Sequence, residues 1–128
     1  MSKYPDLSDA DEIIMEILWR DGEVSSAAIV KEVSATLGWS RQTVGTYLSR
    51  LMDKGLAGAK KVSERAYRYY PVVSREAYAA DKTNSFFTKY YGSLSHMVAG
   101  IAQTADISEE DLTELEALIQ EIRYKEGK

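Results

Sequence analysis

The stretch GWSRQTVGTYLSRLMDKG, residues Gly38 to Gly55, decides how this chain is read. Ser40 is a good helix N-cap and Gly55 a good C-terminal stop, so the segment between them reads as one helix. Val44, Leu48 and Leu51, flanked by Tyr47 and Met52, share one face of it. Gln42, Gly45, Thr46 and Ser49 fall on the opposite face at i, i+3, i+4 and i+7, and Arg41, Thr43 and Arg50 lie at the borders. The polar face thus carries cations, hydroxyls and an amide, with few groups suited to catalysis.

Two helices precede it. Ser8, with Asp11 three residues on, forms a shortened capping box, and Ile13, Ile14, Ile17 and Leu18 follow at helical spacing until Asp21-Gly22. Ser25 or Ser26 caps the second, whose stripe is Ile29, Val30 and Val33 and whose stop is Gly38. After Gly55 the pattern changes. Leu56 to Val73 is rich in Gly, Val and Tyr and reads as two strands joined near Ser63-Glu64-Arg65, ending at Pro71. The order is helix, helix, helix, hairpin.

Charge singles out the same region. The whole chain of 128 residues has a net charge of −4. Between Ser40 and Tyr70, however, seven cations face two anions, a local net of +5. Local fields, more than totals, set association with a charged partner. An exposed helix with Arg41, Gln42, Thr43, Thr46 and Arg50 fits a major groove, where such side chains read base edges and hold phosphates. Lys60, Lys61, Arg65 and Arg68 lie on the hairpin, where a wing would touch the neighbouring backbone.

From Ser74 the chain is helical again. One helix runs through Tyr78, Phe86, Phe87 and Tyr90 to Gly92, a second from Ser93 or Ser95 to Thr104, and a third starts at Ser108 and carries Leu112, Leu115, Leu118, Ile119 and Ile122. Three short helices hide little surface. Tyr78, Phe86, Phe87, Tyr90 and Tyr91 therefore form an aromatic surplus that a second chain would cover. Phe86, Phe87, Tyr90, Leu112, Leu115, Leu118 and Ile122 are the expected dimerisation residues. The expected division is a DNA-binding domain over 1–73 and a helical dimerisation domain over 74–128.

There are no cysteines, no apolar run of membrane-spanning length and no signal-peptide pattern near the N-terminus, so a cytoplasmic protein without thiolate metal sites is expected. His96 is the only histidine, and no phosphate-binding glycine loop or HExxH motif is present, so no enzyme, metal or cofactor is expected. Two rival readings are a winged helix that binds only protein and a regulator that senses a small molecule in the Phe86–Tyr91 cluster. The basic window argues against the first, and the value of an aromatic dimer core argues against the second.

LSDADEIIMEILW, GWSRQTVGTYLSRLMDKG and RAYRYYPVVSREAY resemble, in order, the blocks of the penicillinase repressor family, which includes β-lactam resistance and copper-operon repressors. The resemblance covers Leu7 to about Ile122. It implies a mainly α protein, a winged helix-turn-helix of three helices and a two-stranded wing, followed by a three-helix dimerisation domain. It also implies a homodimeric repressor of palindromic operators. On this resemblance Trp39, Ser40, Arg41, Gln42, Thr43 and Thr46 fall on the recognition segment, and Tyr67 and Arg68 on the wing. Two features depart from the family. Gly45 takes a groove-facing place where relatives often carry Lys or Arg, and a mid-helix Gly costs roughly 1 kcal/mol relative to Ala. The absence of cysteine excludes copper sensing through thiolates. In the β-lactam branch a membrane sensor protease system leads to cleavage of an Asn-Phe bond; here Gly100-Ile101 falls at that place, and Asn84-Ser85-Phe86 is similar in composition but not in position.

Overall fold

The computed structural model describes residues 2–127. Helix α1 (Asp9–Asp21) starts on the capping box, with Ser8 accepting from the Asp11 N–H and Asp11 accepting from the Ser8 N–H. Ser25 caps α2 (Ser26–Leu37), and Ser40 caps α3 (Arg41–Asp53). Gly38 ends α2 at φ 70°, in left-handed geometry that suits glycine and turns the chain sharply into α3. Strands β2 (Ala57–Ser63) and β3 (Ala66–Pro71) form the hairpin.

The sheet holds one strand beyond the expected two. Val24–Ser25, β1, pairs antiparallel with β3 and makes the order β1-β3-β2. Two residues carry no readable periodicity, so only the pairing of Val24 with Tyr69 and Ser25 with Arg68 reveals the strand. In the hairpin, Lys60 stands opposite Arg68, and Lys61 opposite Tyr67. Gly58 lies against the Tyr70 ring; a Cβ there would sit 2.6 Å from the ring's outer end, so any other residue would have to push that ring aside.

Ile14, Met15, Leu18, Ile29, Val33, Val44, Leu48, Leu51 and Leu56 are fully or almost fully buried, and each such side chain contributes about 1.5–3 kcal/mol by leaving water. Val44, Leu48 and Leu51 are the inner face of α3, so packing fixes which face of that helix stays outside.

The remaining helices are α4 (Arg75–Tyr90), α5 (Leu94–Thr104) and α6 (Glu109–Glu126). The chain divides into two compact units at Ser85/Phe86, inside α4 rather than before it. The reason is that the first half of α4 is fastened to the head. Tyr78 packs against Trp19 with ring centroids 5.9 Å apart, and its hydroxyl accepts the Leu7 N–H at 2.9 Å. Tyr78 therefore has a place within the chain and does not belong to the aromatic surplus. Asp81 accepts the N–H groups of Lys3 and Tyr4 at 2.7 and 3.1 Å, and the Trp19 indole donates to the Val73 carbonyl at 2.9 Å. The bonds from the Lys3 and Tyr4 N–H groups hold the Asp81 carboxyl down at about 2, that from Lys3 being the largest cause.

In the second unit, Phe86 lies against Tyr90 with ring centroids 4.9 Å apart, and both rings stay largely exposed. Leu94, Val98, Leu115, Leu118 and Ile122 line an open apolar groove between α5 and α6. No described helix is long and apolar enough to cross a membrane.

Candidate nucleic-acid interface

The outer face of α3 begins at its cap. The Ser40 hydroxyl accepts the Thr43 N–H at 3.1 Å and shares a second hydrogen bond, also 3.1 Å, with the Thr43 hydroxyl. The N–H groups of Arg41 and Gln42 lie in the first turn, where a helix has no acceptor of its own and the dipole favours an anion. The side chains of Arg41 and Gln42 are exposed and make no hydrogen bond or ion pair among the described residues. Thr46 donates to the Gln42 carbonyl at 3.0 Å, which spends its proton locally and leaves its methyl and lone pairs outward.

Other expected contact residues are engaged with the head itself. Trp39 stacks on Tyr47, centroids 5.2 Å apart and planes 23° from parallel. Arg50 lies over the other ring of that pair, its guanidinium carbon 5.3 Å from the Tyr47 centroid. It also comes within 4.0 Å of Asp11. Trp39 and Arg50 thus act as braces of α3.

On the wing, Lys60 and Arg68 share one face and turn to Glu23, at 3.6 and 3.7 Å. Lys61 and Arg65 are exposed and carry no ion pair among the described residues, and Tyr67 lies opposite Lys61 with its ring largely exposed. The structure therefore leaves Gln42 and Thr46 exposed on the outer face of α3 with Arg41 exposed at its border, and sorts the wing cations into paired and unpaired sets.

Two carboxylates that matter here have cationic partners that a reading by charge and motif misses. Asp11 is fully buried and accepts Lys54 at 2.8 Å. Burial pushes its carboxyl up, but the hydrogen bonds from Lys54 and Ser8 outweigh that and hold it below the usual carboxylate value. Its signal is positional: Asp11, Ile14, Met15 and Leu18 are one helical stripe, and a carboxylate on an apolar stripe needs a cation. Glu23 is the other, and only the strand register shows it.

Three packed helices, a wing and a polar, cationic face on the third helix define the winged helix-turn-helix class. The penicillinase repressor model matches residues 7–121, and the chain belongs to that family. It is 32% identical over 122 residues to the penicillinase repressor of Bacillus licheniformis, with 94% of each chain covered. It is 26% identical over 119 residues to the methicillin resistance regulatory protein MecI of Staphylococcus aureus, covering 92% of this chain and 96% of that one. The solution structure of monomeric Bacillus licheniformis BlaI in complex with the blaP half-operator aligns at a TM-score of 0.52 and 33% identity, over 61% of this chain and 94% of that one.

Proposed function

We propose that this chain is a cytoplasmic transcriptional repressor that binds a palindromic operator as a homodimer. The observation that carries the reading is the outer face of α3, where Arg41, Gln42 and Thr46 project from a helix whose inner face is locked by Val44, Leu48 and Leu51. The kinship with BlaI, whose head was solved on a half-operator, supports DNA as the partner. In this reading Gln42 reads a base, Arg41 and the α3 N-terminus hold a phosphate, and Lys61 and Arg65 clamp the backbone beside the groove. A second copy covers the apolar groove of α5 and α6 together with Phe86, Phe87 and Tyr90. Two-fold symmetry then sets the half-sites about 10 bp, or a multiple of that, apart. A membrane sensor protease system is the upstream partner in this reading, although Gly100-Ile101 lies inside α5 in place of the family's cleavage pair.

The test is a titration of the full chain on a duplex from its own promoter at about 50 and 200 mM salt. A dimer that neutralises about 6–10 phosphates loses about 10³–10⁵-fold in affinity between the two. Absence of binding at the lower salt, or binding indifferent to salt, overturns the reading.

A further inference from the structure

Glu23 stands between Gly22 and Val24, where α1 passes into β1, and its side chain is exposed. Its carboxylate bridges two wing cations: one oxygen is 3.6 Å from Lys60 Nζ, the other 3.7 Å from Arg68 Nε. Arg68 also donates to the Glu23 carbonyl at 3.0 Å. The strand register causes this convergence. Lys60 and Arg68 are cross-strand partners and so share a face, and Arg68 is also the partner of Ser25, which brings the residues just before β1 alongside it. Lys61 belongs to the other face and is left out.

We infer that Glu23 is a built-in competitor for the nucleic-acid backbone at the wing, occupying Lys60 and Arg68 as the two free oxygens of a phosphodiester would. The inference rests on the operator-binding reading above. Its chemistry follows from the distances and the exposure. Both contacts are longer than hydrogen bonds, and the three side chains are 59%, 46% and 45% exposed for Lys60, Arg68 and Glu23. Surface pairs of this kind shift an equilibrium by no more than about fivefold each. A phosphate can therefore displace the carboxylate, whereas the buried, 2.8 Å contact of Lys54 with Asp11 does not exchange in this way. The wing then holds a two-cation reserve whose use is discounted on every sequence, and Lys61 and Arg65 act at full charge.

The experiment compares the full wild-type chain, Glu23→Gln, the Lys60→Met/Arg68→Met pair and all three changes combined. Each is titrated on the promoter duplex and on a scrambled duplex of the same composition, across a salt series. Thermal unfolding confirms that each variant is folded. Glu23→Gln is expected to tighten both duplexes alike by about three- to tenfold. The slope of log affinity against log salt should steepen by about one to two per head. The gain should vanish in the Lys60→Met/Arg68→Met background. Unchanged affinity and slope overturn the inference. A gain that survives without the two cations also overturns it, because it reports long-range charge alone. A loss confined to the promoter duplex overturns it too, since it makes Glu23 an acceptor for a cytosine amino group. Failure of the wild type on both duplexes at low salt overturns the operator reading, and the inference falls with it.

Discussion

The Lys54 ammonium lies 2.8 Å from an oxygen of Asp11, a residue with no exposed surface, and so ties the end of α3 to the start of α1. The same carboxylate caps the first turn of α1 through Ser8. One buried anion thus sets both the register of α1 and the seat of α3. Its other oxygen has no hydrogen-bond partner among the described residues, so the contact with Lys54 is its principal compensation.

Lys54→Met should therefore cost about 3–5 kcal/mol, because it strands a buried charge. Asp11→Asn should cost less, about 1–3 kcal/mol, because it removes the charge and keeps an acceptor for Ser8. Urea denaturation at neutral pH measures both. A larger loss for Asp11→Asn than for Lys54→Met would overturn this account.

Acid gives a second view of the same contact. The folded Asp11 carboxyl lies below its ordinary value of 3.8, so its contribution is complete above that value and is lost as pH falls through the lower, folded one. Wild type should lose more stability than Asp11→Asn between about pH 5 and pH 2. Parallel pH profiles for the two proteins would contradict the direction assigned to Asp11.

Gln42 and Lys61 should separate by the kind of damage they cause. Gln42→Ala is expected to cost about 1–3 kcal/mol on the preferred operator and to relax choice at one position. Lys61→Ala should weaken all duplexes alike and reduce the salt slope by about one. Anisotropy titrations on operator and scrambled DNA decide; identical profiles would remove the distinction between base reader and phosphate clamp.

Gly45 has open space where a Cβ would stand, and its φ is not positive. Packing does not require glycine there. Gly45→Ala should raise stability by about 0.5–1 kcal/mol through helix propensity, read as a higher melting temperature. A drop in stability would show a constraint that the isolated head does not display.

Leu118→Lys places a charge in the apolar groove of the second unit. Light scattering at micromolar concentration should then give the monomer mass for the variant and twice that mass for wild type. A monomeric wild type would remove the dimer from the proposal.

Much of this was legible from sequence because local rules and global packing agree. Ser8, Ser25, Ser40 and Ser108 each cap the helix expected of them, and Val44, Leu48 and Leu51 face the core as their spacing requires. What was not legible depends on contacts distant in sequence. Two-residue β1 exists only through β3, and Glu23 meets Lys60 and Arg68 only through that pairing. Tyr78 read as surplus because Trp19 and Leu7, which receive it, lie far back along the chain. Charge counting likewise made the basic window uniform, whereas Asp11 and Glu23 neutralise part of it from outside the window.

The fastening of residues 2–7 across α4 has a practical consequence for measuring what the proposed second copy adds. A head cut after Val73 loses Tyr78, Asp81 and Lys82 together, which leaves the Lys3 and Tyr4 N–H groups and one side of Trp19 without their partners. Weak operator binding by that fragment would mix a damaged head with a missing twin. A head cut after Ser85 keeps its own latch intact, and its affinity set against that of the full chain isolates the gain from joining two heads.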